Sequence, residues 1–271
     1  MTDRQKIWLL LGICAAAISV VFVFVPPFPQ PLEYHGFADS RSAWGIPNFG
    51  DVLSNIPLLL AGLYGLWVLV KRDEAGPWSG DARLPLAVFF IGVLLVVPGS
   101  AYYHWSPNNW TLFWDRLPMT VAFMGLLAAV VTDRINAKAG VRYVLPALVI
   151  IGMASVIFWI SSELGCDFAK SFNAAYFPTI EVHCTGDLRA YALAHFLPVL
   201  IIPLILWLWP RGQYITWRAI IWAFVFYALA KFAEHYDHQI YKLLGSVVSG
   251  HTLKHLFAAM APVALVMNLR R

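Results

Sequence analysis

Apolar residues run through the 271-residue chain in long blocks, and polar residues collect between them. Runs of about 20 apolar residues match the hydrocarbon thickness of a bilayer. They predict eight spans, at 7–25, 51–70, 84–103, 113–132, 142–162, 188–209, 216–234 and 250–268. The expected fold is all-α, a polytopic membrane helical bundle. Two units are expected: an N-terminal transmembrane helix with the Pro-rich linker PPFPQP (1–30), and a seven-helix membrane domain (31–271). The run 7–25 resembles a signal peptide, but it is long and no small-x-small cleavage site follows, which favours a retained helix.

The blocks are interrupted in a patterned way. Ser54 and Asn55 lie early in the second span, and Ser100 and His104 close the third. Asp115 opens the fourth; His251 and His255 open the eighth. In an antiparallel bundle all four places fall at the same end. Polar groups at membrane depth cost several kcal/mol unless paired or solvated, so this clustering marks a shared site.

Loop charges say which end it is. Arg4, Lys6, Lys71, Arg72, Arg83, Arg134, Lys138, Arg142, Arg211, Arg218, Arg270 and Arg271 fall on one side, against Arg41, Lys170 and Lys242 on the other. By the positive-inside rule both termini are cytoplasmic, and the polar cluster faces the periplasm or an organelle lumen. Cys166 and Cys184 share a loop on that outer side, which suits a disulfide; two free thiols are the alternative.

Composition narrows the function class. Charged residues make up 13% of the chain, half the usual share of a soluble protein. The net charge of +4 is explained by the inner loops; no basic stripe with interleaved aromatics and no Gly-rich phosphate loop is present. A nucleic-acid partner is therefore not expected, whereas a membrane lipid is.

The candidate chemistry is metal-based. His251 and His255 are four residues apart and share a helical face, as do Ser100 and His104. Three neutral imidazoles leave a fourth position open, as in catalytic zinc sites, and zinc can activate water at neutral pH. Asp115 suits a general base that later protonates a leaving amine, and Ser100 an oxyanion donor. Against this, a histidine near a span end is often interfacial, Asp115 could complement a helix N-terminus, and imidazoles also suit iron, copper or nickel. His35, His183, His195 and His238 read as structural or interfacial. Lys231, Glu234 and Asp237 end the seventh span; they could form a buried ion pair with Lys254 or Arg116, or orient a histidine ligand. Lys254 itself reads as lying on a different face from the histidine pair.

GDVLSN, SAYYHWSPNNWTLFWDRLPM and GHTLKH, in this order and at these spacings, resemble the alkaline ceramidase family. That family belongs to a wider group of membrane hydrolases that includes the progestin and adipoQ receptors. The resemblance implies a seven-helix domain holding Zn2+ through His104, His251 and His255, with Ser100 and Asp115 assisting the attacking water. It implies hydrolysis of ceramide-like lipids to a sphingoid base and a fatty acid. Another lipid amide or ester as substrate, or a non-catalytic lipid-sensing receptor, stays open. Animal members bind Ca2+ through an acidic cluster ahead of the first core helix. Here only Asp39 and Asn48 stand there, with Ser42 and Trp44 where other ligands would be, which leaves Ca2+ doubtful. Tyr34, Phe37, Trp44 and Phe49 of that loop could instead cap the site, and Ser54, Glu234 and Asp237 could support its ligands.

Overall fold

The computed structural model describes residues 1–71, 81–176 and 184–269. Arg72, His183, Arg270 and Arg271 lie outside the described residues. The helices are α1 (Asp3–Phe24), α2 (Phe49–Leu53), α3 (Ile56–Lys71), α4 (Arg83–Trp105), α5 (Asn109–Arg134), α6 (Leu145–Tyr176), α7 (Arg189–Leu208), α8 (Trp217–His235), α9 (Asp237–Leu243) and α10 (Gly250–Met267). No strand occurs among the described residues. Each expected span is helical. Among the described residues, six helical stretches are long and apolar enough to cross a membrane. The last two expected spans, α8 and α10, carry charged and imidazole groups of the site itself, including Lys231, Glu234, Lys254 and both histidines.

Two boundaries differ from the sequence pattern for local reasons. The second span is broken at Ser54. The Ser54 hydroxyl and the Asn55 amide both donate to the Asp51 carbonyl, at 3.0 Å each, in competition with the helical ladder. The fifth span extends to Tyr176, beyond the apolar run, and carries Cys166 of the disulfide in this extension.

α4 packs between α3 and α5, α5 against α6 and α7, and α10 against α8 and α3. One apolar core joins Leu86, Phe90, Val130, Ile202, Leu206 and Leu265, and a smaller aromatic one holds Tyr103, Trp159 and Tyr191 near the histidine end of α4. Large apolar side chains such as Leu60, Trp67, Ile150, Trp207 and Phe232 face outward, where lipid is their solvent. α1 lies along α7 and buries only Leu10. Arg134, expected as a loop charge, is buried: it pairs with Asp133 at 3.0 Å and donates to the carbonyls of Trp209, Pro210 and Ile215.

Cys166 and Cys184 are bridged, and Cys14 is free. The bridge ties the top of α6 to the start of α7, where Asp187 and Arg189 pair at 2.7 Å and Arg189 donates to the Val25 carbonyl. The linker after α1 is thereby fastened to the start of α7. Thiol titration of the unfolded chain should find one reactive cysteine before reduction and three after it. Three before reduction would contradict the bridge.

Candidate metal centre

His104 sits in the last turn of α4, and His251 and His255 in the first turns of α10. All three are buried, and their ligand nitrogens lie within 4.8 Å of one another, an arrangement that could hold one metal ion. Ring centroids are 4.6 Å apart for His104 and His251, and 5.0 Å for each of the other pairs. Both ring nitrogens of His104 are buried without a hydrogen-bond partner. Leaving such a group unpaired costs about 1–3 kcal/mol, and a metal ion would relieve that cost.

The other two rings are oriented by their neighbours. The Ser54 hydroxyl donates to the Asp51 carbonyl, so it accepts at 2.6 Å from Nδ1–H of His255. That fixes the neutral tautomer with a lone pair on Nε2. Lys254 has only protons to offer, so His251 accepts from it through Nε2 at 3.3 Å and is also neutral. Lys254 thus corrects the sequence reading. Residues three apart on a helix are neighbours, and Lys254 belongs to the same face as the histidines.

Backbone anchoring comes from carboxylates. Asp51 is fully buried, and its Oδ1 accepts from Ser249 and Thr252 at 2.9 Å each, pinning the N-cap of α10. Asp237 accepts the backbone N–H of His251 at 2.8 Å and that of Ala38 at 2.9 Å, so it positions the helix rather than the imidazole. The Asn48 amide donates to the His104 carbonyl at 2.8 Å. Gly250 lets α10 start against the end of α8: an added Cβ would stand 2.6 Å from the Cα of Asp237.

Ser100 and Asp115 meet because α4 and α5 touch at Gly99, where an added Cβ would lie 3.2 Å from the Asp115 Cα. A side-chain hydrogen bond joins them. Both line a cavity of about 380 Å³, together with His255, Lys254 and Glu234 at its polar end and mainly apolar side chains beyond. Glu234 pairs with Lys254 at 2.6 Å and with Lys231, and accepts from Tyr34 at 2.9 Å. Of the two ion pairs weighed from sequence, the one to Lys254 forms; Arg116 goes elsewhere.

The loop 26–48 closes the outer face. Phe37 packs on the rings of His104 and His251, with centroids at 4.6 and 4.8 Å. Trp44, expected as cover, is 88% exposed and meets only the edge of Phe49. Asp39 does not join Asn48 in a ligand set. Arg41 donates to both of its oxygens, at 2.8 and 2.7 Å, and holds its carboxyl below the usual carboxylate range. His35 is tied to Tyr103 and Asn109, and burial lowers its pKa. His195 bonds Tyr227 at 2.8 Å and lines the cavity, while His238 bonds the Gly36 carbonyl. Asp51 is the structural partner that sequence reasoning left out. Asp51 had a signal, since it lies within GDVLSN.

With this geometry in hand, the chain is similar to a Dictyostelium discoideum protein named "Putative alkaline ceramidase dcd3A", 27% identical over 124 residues. The match covers 39% of this chain and 43% of that relative, so the chain spans less than half the length of the protein it matches. No protein-family profile matches the chain. No solved structure matches it either.

Breaking a buried ion pair leaves the partner uncompensated and typically costs about 3–5 kcal/mol. Glu234→Ala strands Lys254 beside three imidazoles, and thermal unfolding in detergent should show a marked loss of stability. The double change Glu234→Leu/Lys254→Met should recover most of it; equal loss in both would refute the pairing.

Proposed function

We propose that this protein is a zinc-dependent integral-membrane amidase acting on ceramide-like lipids, releasing a long-chain amine and a fatty acid. The observation that carries this reading is the convergence of three buried imidazoles, one of which, His255, lines an apolar-walled cavity together with Ser100 and Asp115. The similarity to a protein named as an alkaline ceramidase supports it. In this reading the seven helices after the linker carry the site, both termini are cytoplasmic, and the site faces the periplasm or lumen.

His104, His251 and His255 would hold the metal. When bound, zinc supplies Lewis-acid activation of water and of the amide carbonyl. The protein's own groups do the rest. Asp115, as carboxylate, takes a proton from the attacking water and returns it to the departing nitrogen. Ser100 donates to the Asp115 carboxylate before attack; once Asp115 has taken the water's proton, the Ser100 hydroxyl turns to donate toward the oxyanion as the carbonyl carbon becomes tetrahedral. Lys254 and Glu234 keep the polar end charge-balanced. Phe37 keeps bulk water off the imidazoles, and the apolar walls take the acyl chain. Water adds across the C–N bond, giving one carboxylic acid and one amine.

Elemental analysis of the purified chain should find about one zinc per chain. Chelation should stop fatty-acid release from ceramide, and zinc should restore it. His251→Ala should lose both metal and turnover. Asp115→Asn should keep the metal while turnover falls by about 10²–10⁴-fold. Full zinc in His251→Ala would end the ligand assignment, and full turnover in Asp115→Asn would end the assignment of the base.

A further inference from the structure

Among the described residues, Arg116 is the one strong cation of the cavity wall that neither the histidine cluster nor the Glu234 cluster uses. It is only 6% exposed and lines the cavity. Its guanidinium carbon stands 4.4 Å from the Trp159 ring centroid, 4.6 Å from Tyr191 and 5.6 Å from Tyr34. Nη2 donates to the Gln30 side chain at 2.5 Å. Gln30 is itself held, because its backbone N–H donates to Glu163 at 2.6 Å. Nη1 is buried and has no partner.

That combination is uncommon. A guanidinium stays charged at all relevant pH, and a buried charge without a counter-ion is costly. The aromatic faces offset part of that cost, but they offer nothing to Nη1. The cavity-lining charges show the same imbalance: Arg116, Lys231 and Lys254 against Asp115 and Glu234. Both carboxylates already have partners, in Ser100 for one and the two lysines for the other. The missing group is an anion brought by the ligand.

The position says which part of the ligand brings it. Arg116 is in the second turn of α5, under the linker that holds Gln30, at the outer end. Leu126, roughly 15 Å further along the same helix at 1.5 Å per residue, lines the apolar depth with Ile202 and Phe224. An acyl chain fills the deep part, so the group beyond the amide nitrogen lies at the outer, polar part. We propose that Arg116 is a carboxylate-binding residue for the amine half of the substrate, which makes N-acyl amino acids a substrate class of this site. The proposal rests on the lipid-amidase reading for its chemistry, and on the cavity alone for its binding.

Four ligands test it, with the full chain in detergent micelles. N-oleoylglycine and N-oleoylethanolamine share an acyl chain and an amide, and only the first has a carboxylate. Oleate and oleyl alcohol form the same contrast on the acyl side. One charge-assisted hydrogen bond makes the expected preference for N-oleoylglycine about tenfold in Kd. Arg116→Gln should bring the ratio to about one, and Arg116→Lys, which keeps the charge, should retain part of it. Binding of the neutral amide reports an intact cavity in each variant. Equal affinities in the wild type overturn the proposal without any variant. A preference that survives in Arg116→Gln puts the carboxylate at the metal and also overturns it. So does an Arg116-dependent preference confined to oleate. Mass-spectrometric product detection separates the two ideas: binding preference without hydrolysis of either amide sinks the amidase reading alone, and hydrolysis of both amides without preference sinks the Arg116 assignment alone.

Discussion

Three imidazoles must be kept neutral and pointed at one another inside an apolar bundle, and most of the outer-end architecture serves that requirement. The clearest element is the start of α10. Its N-cap serine and the following threonine both donate to Asp51, and its His251 N–H donates to Asp237. One carboxylate comes from α2 and the other from α9, so α10 is clamped from two sides. Asp237 also takes the Ala38 N–H, which pulls the loop bearing Phe37 down over the rings. Loosening any of these contacts moves a ligand nitrogen, because both histidines ride on the clamped turns.

Electrostatics enters at the same place. Lys254 is next to His251 on the helix and donates to its Nε2, while Glu234 keeps that ammonium paired. Protonation of His251 would set a second cation against the first in a low-dielectric pocket. The arrangement therefore keeps His251 neutral, and a metal ion bound through Nε2 would take over the lone pair that Lys254 now occupies. Tyr34 adds a hydrogen bond from the covering loop to Glu234, so cover and charge balance share one residue.

How much of this was legible in the sequence follows from what each signal measures. Apolar run length reports the bilayer, so each expected span was found helical, six of them within stretches long and apolar enough to cross it among the described residues, and the shared end of Ser54, Ser100, His104, Asp115, His251 and His255 was visible too. Run length says nothing of where an amphipathic helix continues into water, which is why α6 overran its expected end. Lys254 was misplaced by an angular error: three residues at 100° each leave it only about 60° from His251. Asp51 was passed over since a single acid near a span end looks like a helix N-terminal charge. Trp44 shows the opposite limit, because an aromatic in a loop carries no information about which way it turns. Arg116 could not have been assigned either; its cage draws on Gln30, Trp159 and Tyr191, all distant in the chain.

The linker after α1 ties these themes together. It is fastened at Val25 by Arg189, at Phe28 by the Leu188 N–H, and at Gln30 by Glu163. These partners stand on the elements joined by the Cys166–Cys184 bridge. The same linker then supplies Tyr34 to Glu234 and Phe37 to the histidine rings. Its path therefore determines both the polarity of the cavity mouth and the cover over the three histidines. A seven-helix bundle alone would provide the imidazoles and the apolar depth. The linker, held to α6 and α7, gives the histidine end its chemical character, with charged and hydrogen-bonding groups there and apolar walls deeper in the cavity.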